Sequence, residues 1–276
     1  MTLTEKEGLL DATLLEIESA VIAFSGGVDS SLLLHKASSI LGIEKVIAVT
    51  GISPSYPKID KHSAEEVIRF TGSIWLTIET SEFNEPGYME NGKDRCFFCK
   101  RDLFKILSRI AAERGVRAVL DGSIYDDISD YRPGRRAALI AGVRSPLYEA
   151  GIYKKEVRAL LKRDGLPNWD KPSSACLASR IPYGTEVTPK RLSQVEEGEE
   201  ILKGFGFRTS RLRWHENIAR IEVDQGELSK AISIRKDIIL AIKRIGFTYV
   251  CLDIEGLRTG SMNEVPELVK EKTIRK

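Results

Sequence analysis

Ser25-Gly26-Gly27-Val28-Asp29-Ser30-Ser31 brings two glycines, three hydroxyls and a carboxylate into one short stretch. Glycines let backbone N–H groups approach an anion, hydroxyls add donors, and a helix starting here would add its positive end. That chemistry suits a polyphosphate. Asp29 can help to hold Mg²⁺, or it can simply cap the helix. A second set is the four cysteines, Cys96, Cys99, Cys176 and Cys251. Cys96 and Cys99 form a Cys-x-x-Cys in Arg95-Cys96-Phe97-Phe98-Cys99-Lys100. Such a pair serves a zinc site, a redox couple or an iron–sulfur cluster. Zinc usually takes four protein ligands, and a second close-spaced pair is missing. A third set is Arg211 and Arg213, which alternate along a strand-like stretch and so face one side. There they form either a guanidinium clamp for a phosphate or a solvated strand face. Glu222 and Asp224 alternate in the same way, as catalytic or metal-binding carboxylates or as counter-ions to those arginines.

These groups need elements to hold them. Ala20 to Phe24 is a short apolar run that predicts a strand, it stops at Ser25-Gly26-Gly27, and a helix is predicted from about Ser30 to Leu41. Further strands are predicted at Lys45 to Thr50, Ser73 to Ile78 and Ala118 to Leu120, with helices over 63–71 and 101–113 between them. Alternation at this spacing implies right-handed βαβ units and a parallel sheet covered on both faces. The Cys-x-x-Cys is expected to precede the 101–113 helix, and Cys251 to lie in an apolar strand, Tyr249 to Ile254, as a buried inert thiol. After about residue 186 the pattern changes to a helix, two strand-like stretches, a helical run over 228–245 and a last strand. The expected organisation is a larger α/β domain over 1–186 and a smaller α+β domain over 187–276.

Bulk composition narrows the roles. With 276 residues and 42% hydrophobic content the chain can bury a core for such a pair of domains. Lys and Arg total 42 against 40 for Asp and Glu, so no basic excess points to nucleic acid. No apolar run approaches the roughly 18 residues that span a bilayer, and Met1 to Asp11 shows no signal-peptide pattern. A cytoplasmic protein is expected, and homo-oligomer formation is left open.

Ser25 to Ser31 resembles the SGGxDS signature of the PP-loop ATP pyrophosphatases. In that superfamily a substrate oxygen attacks the α-phosphorus of ATP and pyrophosphate leaves. Three further segments narrow the resemblance: Asp121-Gly122-Ser123 through Asp130-Tyr131-Arg132-Pro133-Gly134, Ala175-Cys176-Leu177-Ala178-Ser179-Arg180-Ile181-Pro182-Tyr183-Gly184, and Arg211 to His215. Together with the loop they are similar to the LarE family of ATP-dependent sulfur transferases, from about Val21 to Met262. The resemblance implies a Rossmann-like PP-loop domain followed by a smaller α+β domain. It implies ATP and Mg²⁺ held by Ser25, Gly26, Gly27, Asp29, Ser30, Ser31, Asp121, Gly122 and Arg180. It implies a pyridinium biscarboxylate mononucleotide as substrate, met by Arg211, Arg213, Arg132, Asp130 and Lys100, with Cys176, Asp29 and Glu222 catalytic. One carboxylate would be adenylated and its oxygen replaced by sulfur from sulfide or another sulfur donor. Some family members hold a [4Fe–4S] cluster with three cysteines, here Cys96, Cys99 and Cys176, leaving one iron open to sulfide. Others give up the sulfur of a single cysteine, here Cys176. Two further readings stay open: a tRNA-thiolating enzyme of the same superfamily, and a non-catalytic nucleotide-binding or cluster-sensing protein.

Overall fold

The computed structural model of the chain describes residues 1–128, 133–172, 175–258 and 261. The chain divides into two compact units, Met1–Cys176 and Leu177–Lys276. The division falls at 176/177 rather than at the composition change near 186. The turn at Leu177–Arg180 belongs with the second unit, where Arg180 binds Glu199 and the Ser179 carbonyl accepts from Arg213.

The first unit holds α1 (Leu3–Ile17), β1 (Ala20–Ala23), α2 (Val28–Leu41), β2 (Val46–Ile52), α3 (Lys58–Thr71), β3 (Ile74–Glu79), α4 (Pro86–Met89), α5 (Arg95–Arg114), β4 (Ala118–Leu120), α6 (Pro133–Ile140), α7 (Pro146–Glu149) and α8 (Lys154–Arg163). All four strands are parallel, in the order β3-β2-β1-β4. Helices cover both faces, so β1 is buried on both sides and its alternate residues feed two cores. Ala20, Ile22 and Phe24 join Leu10, Leu14, Leu33 and Leu160, while Val21 and Ala23 join Ile47, Phe104 and Leu107. Full burial of each Leu or Phe stabilises by roughly 1.5–3 kcal/mol. The chain runs outward from β1 to β2 and β3, then returns to place β4 on the other side of β1. This reversal opens a crevice at the carboxyl ends of β1 and β4, the position where open α/β sheets bind ligands. The segment over 133–163, to which the sequence pattern assigns no element, carries α6 to α8.

A polar network ties α1, α2 and α8 on the outer side of this sheet. Glu7 accepts from Arg163 at 2.7 and 2.8 Å and pairs with Lys36 at 2.6 Å. Arg163, with Lys36 behind it, holds the Glu7 carboxyl down to about 2. A depressed carboxyl stabilises the fold fully above its unfolded pKa of about 4.3, and that contribution is lost as pH falls towards the folded value. Glu7→Gln is therefore expected to lower stability by roughly 1–2 kcal/mol at pH 7, a figure discounted because Arg163 is half exposed. Urea unfolding of the purified chain at pH 7 and at pH 3 checks this: the gap from wild type should narrow at the lower pH.

The second unit holds α9 (Pro189–Gly204), β5 (Ser210–His215), β6 (Ile218–Val223), α10 (Leu228–Ser233), α11 (Arg235–Arg244) and β7 (Tyr249–Leu252). β5 and β6 form a hairpin, and β7 adds to β6 in parallel as an edge strand. The helical run predicted over 228–245 breaks at Ile234, where the Ser233 hydroxyl bonds back to the Lys230 carbonyl and competes with the helix. Among the described residues no helix is long and apolar enough to cross a membrane.

Candidate active site

The seven residues Ser25 to Ser31 carry the chain from β1 through a short loop into the first turn of α2 at the crevice. Gly26 sits at φ +71°, and a Cβ there would meet the Asp60 carbonyl at 2.6 Å and the Ala64 nitrogen at 2.8 Å, so only glycine fits. The Gly26 carbonyl is turned inward by three donors: Ser63 Oγ at 2.9 Å, Lys171 Nζ at 3.0 Å and Asn168 Nδ2 at 3.3 Å. Lys171 is itself fixed by Asp60 at 2.8 Å. Gly27 caps α2 with no side-chain hydrogen bond, so the first N–H groups of the helix are left for an anion. Ser31 is fully buried, donates to the Gly27 carbonyl and accepts from Asn168. It supports the loop from beneath. Ser25 and Ser30 stand with their hydroxyls 3.2 Å apart at the mouth.

The other side of the crevice comes from the end of β4. A Cβ on Gly122 would lie 2.8 Å from the Ser30 nitrogen and 3.1 Å from the Asp29 carbonyl carbon, so glycine lets the two segments touch. Asp121 is buried and accepts from Ser123 N–H and Oγ and from Ser145 Oγ, which makes it the brace of this turn. Asp29 pairs with Lys154, the first residue of α8. Lys154, Asn168, Lys171 and Ser63 carry no local motif. Only the tertiary fold brings them to the loop, which is why the sequence pattern does not single them out. Asp130 and Arg132 lie outside the described residues.

The Cys-x-x-Cys corrects one expectation: Cys96 and Cys99 do not precede a helix but lie within the first turns of α5. Their spacing puts both on one helix face, near its positive end. Burial, then the nearby Glu82 and Cys176, push the Cys99 thiol up, and the Cys96 thiol, although exposed, is pushed the same way by partial loss of water and by Cys176. The three cysteines thus influence one another's charge, and the buried Tyr88 feels Cys176, Glu82 and Cys99 in turn. All are free thiols. Among the described residues, no three His, Cys, Asp or Glu side chains converge closely enough to hold a metal ion. Lys100 follows Cys99 on α5 and lays its ammonium over the Phe104 ring, 5.4 Å from the centroid. Cys251 is exposed rather than buried, because it shares the exposed face of β7 with Tyr249 while Val250 and Leu252 face the other way.

In the second unit a buried charge cluster surrounds β5 and β6. Arg180, 2% exposed, binds Glu199 bidentately at 2.8 and 3.1 Å. Arg213 binds Glu222 Oε2 through Nε and Nη2 at 3.0 and 2.9 Å, and donates to the Ser179 carbonyl and to Ser261. Glu222 is fully buried and also meets Ser261 Oγ at 2.8 Å and Arg220 at 3.2 Å, while Arg220 reaches Asp253. Arg211 stands opposite Glu222 in the hairpin. Its guanidinium is pushed down to about 10, by burial first and then by Arg180 and Arg213, against the pull of Glu199 and Glu222. Arg180, Arg211, Arg213 and Arg220 here face Glu199, Glu222 and Asp253, an arrangement that favours an incoming anion. Asp224 does not share the Glu222 face. It lies past the end of β6, exposed, and caps a turn by accepting from Gly226 N–H.

No family model matches the chain. The pyridinium-3,5-bisthiocarboxylic acid mononucleotide synthase of Lactiplantibacillus plantarum is 36% identical over 263 residues, 95% of this chain and 95% of its own length. An uncharacterised protein of Synechocystis sp. is 38% identical over 252 residues, 91% of this chain and 94% of its own. A subunit of the glutamine-hydrolysing GMP synthase of Archaeoglobus fulgidus is 24% identical over 203 residues, 67% of this chain and 64% of its own.

Proposed function

The chain belongs to the LarE family of PP-loop sulfur transferases, and we propose that it adenylates a carboxylate of pyridinium-3,5-biscarboxylic acid mononucleotide and converts it to a thiocarboxylate. The observation that carries this reading is the loop at the sheet's crevice, with an inward-turned Gly26 carbonyl and a helix start capped by no side chain. A carboxylate would have to expel oxide, whereas an acyl-adenylate expels AMP, so ATP makes the oxygen replaceable. Ser25, Ser30 and the N–H groups after Gly27 bind the phosphates. Asp29 holds Mg²⁺, and its present pairing with an ammonium marks the position as one that selects cations. Catalysis of this step is positioning and charge neutralisation. Release of pyrophosphate that requires both ATP and the pyridinium mononucleotide tests the reading. ATP turnover indifferent to that substrate would refute it.

Arg211 and Arg213 take the substrate's phosphate. Arg211→Ala is expected to weaken substrate binding by roughly 1.5–3 kcal/mol and leave ATP affinity unchanged. Arg213→Ala is the poorer probe, since it strips a partner from the fully buried Glu222 and would cost stability of about 3 kcal/mol. Calorimetric titration with each ligand separates these outcomes. A fall in ATP affinity alone would reassign the arginines to the nucleotide.

Cys96, Cys99 and Cys176 would hold a [4Fe–4S] cluster. Support comes from their shared neighbourhood at the positive end of α5 and from the affinity of thiolates for iron. Such a cube would be held by one thiolate from each of the three cysteines. When bound it supplies an iron open to sulfide. The exposure of Cys176 favours a second reading, in which that residue itself gives up its sulfur. The near-equal charge totals speak against tRNA as the acceptor.

A further inference from the structure

Lys154 opens α8 and pairs through Nζ with Oδ2 of Asp29. Two bonds fix the backbone that presents it. Its own N–H donates to Asp126 Oδ2 at 2.6 Å, and the Tyr125 N–H donates to the Ile152 carbonyl at 2.9 Å. The loop leaving β4 therefore carries the start of α8 to the crevice, 125 residues along the chain from Asp29. Both side chains are partly open, at 34% and 27%, and an ion pair this accessible is weak enough to part when a stronger ligand arrives. Lys171, also at the loop, is by contrast fixed on Asp60 and the Gly26 carbonyl at 13% exposure.

We propose that Lys154 is a catalytic residue of adenylation: it rests on Asp29 before nucleotide binds and moves to the pyrophosphate portion of ATP once the nucleotide fills the loop. The inference rests on the adenylation reading. In that step a substrate carboxylate oxygen forms a bond to the α-phosphorus while the bond from that phosphorus to the oxygen bridging to the β-phosphate breaks. The electron pair leaves with pyrophosphate and no proton is transferred. Charge grows on the departing oxygen, and a nearby ammonium with three rotatable donors meets it without demanding a fixed planar geometry. Before binding, the same ammonium neutralises Asp29, so the crevice is not left with a lone carboxylate facing an arriving polyanion.

Magnesium pyrophosphate and AMP, titrated separately into wild-type and Lys154→Met protein, test this together with substrate-dependent exchange of pyrophosphate into ATP. The Lys154→Met protein should bind magnesium pyrophosphate about tenfold or more weakly, with AMP binding unchanged. Exchange should fall about 100-fold, and Lys154→Arg should recover part of both losses. A role confined to bracing the loop would weaken AMP and pyrophosphate alike, and that result overturns the proposal. Unaltered pyrophosphate binding in Lys154→Met, or equal exchange in both proteins, overturns the part played by Lys154 alone. Exchange absent from the wild type overturns the adenylation reading and the catalytic role of Lys154 with it.

Discussion

Gly27→Val should abolish substrate-dependent pyrophosphate release, with a loss of about 10³-fold or more, while the protein stays folded. The reason lies in the contrast between two adjacent glycines. Gly27 has φ −80° and ψ 160°, backbone that any residue adopts. A Cβ there meets only Ser25 Oγ, at 3.3 Å, and otherwise enters open space at the mouth of the loop. Valine can therefore be accommodated by the fold, yet its branches fill the space where amides and phosphate must meet. Gly26→Ala is the opposite case. Its positive φ and the 2.6 Å approach to the Asp60 carbonyl make it a folding lesion. Thermal unfolding of both variants, run beside the pyrophosphate assay, separates the two. Asp29→Ala should match Gly27→Val in the assay. Normal pyrophosphate release from Gly27→Val would remove the loop from the chemistry altogether.

Cys96→Ala, Cys99→Ala and Cys176→Ala should each eliminate iron–sulfur absorbance and sulfur transfer in anaerobically purified protein, and each should leave pyrophosphate release within a few-fold of wild type. Cys251→Ala should keep all three properties, since its exposed thiol lies on an edge strand of the second unit. The separation is expected because the proposed reading assigns adenylation to the loop after β1 and sulfur delivery to the start of α5. The sacrificial route forecasts otherwise. Cys176 would lose the mass of one H₂S after a single turnover, and Cys96 and Cys99 would be dispensable. Intact-protein mass after turnover with added sulfide decides: an unchanged mass over many turnovers supports the cluster, and a loss at Cys176 sinks it.

What can be read from the sequence follows from how local each signal is. Ala20 to Phe24 followed by Ser-Gly-Gly is a strand stopping at a loop within a few residues, and the parallel sheet with its phosphate loop is legible from such stretches. The support beneath the loop is not. Asn168 and Lys171 reach the Gly26 carbonyl across 142 and 145 residues, and nothing in their own neighbourhood marks them. The alternation of Arg211 and Arg213 on one strand face is legible from period two. That Glu222 holds Arg213 depends on the hairpin register, which sets Arg211 against Glu222 and Arg213 against Arg220. The exposure of Cys251 is hidden for a similar reason: an apolar strand is buried only where a face is covered, and the face of β7 that carries Tyr249 and Cys251 is exposed. The Cys-x-x-Cys reads as lying ahead of its helix because Cys, Phe and Phe are weak helix formers, yet Asp94 stands just before them as the N-cap of α5, although its side chain makes no cap hydrogen bond.

The three donors on the Gly26 carbonyl come from α3 and from the stretch after α8, two parts of the chain far apart in sequence. On the proposed reading, a peptide tied down from two directions need not swing as phosphates come and go. The loop is a mould set when the first unit folds. Its ordering entropy is lost once, during folding, and not again in each catalytic cycle. Under the proposed function each nucleotide would meet a loop already in shape, and turnover would not wait for that loop to order.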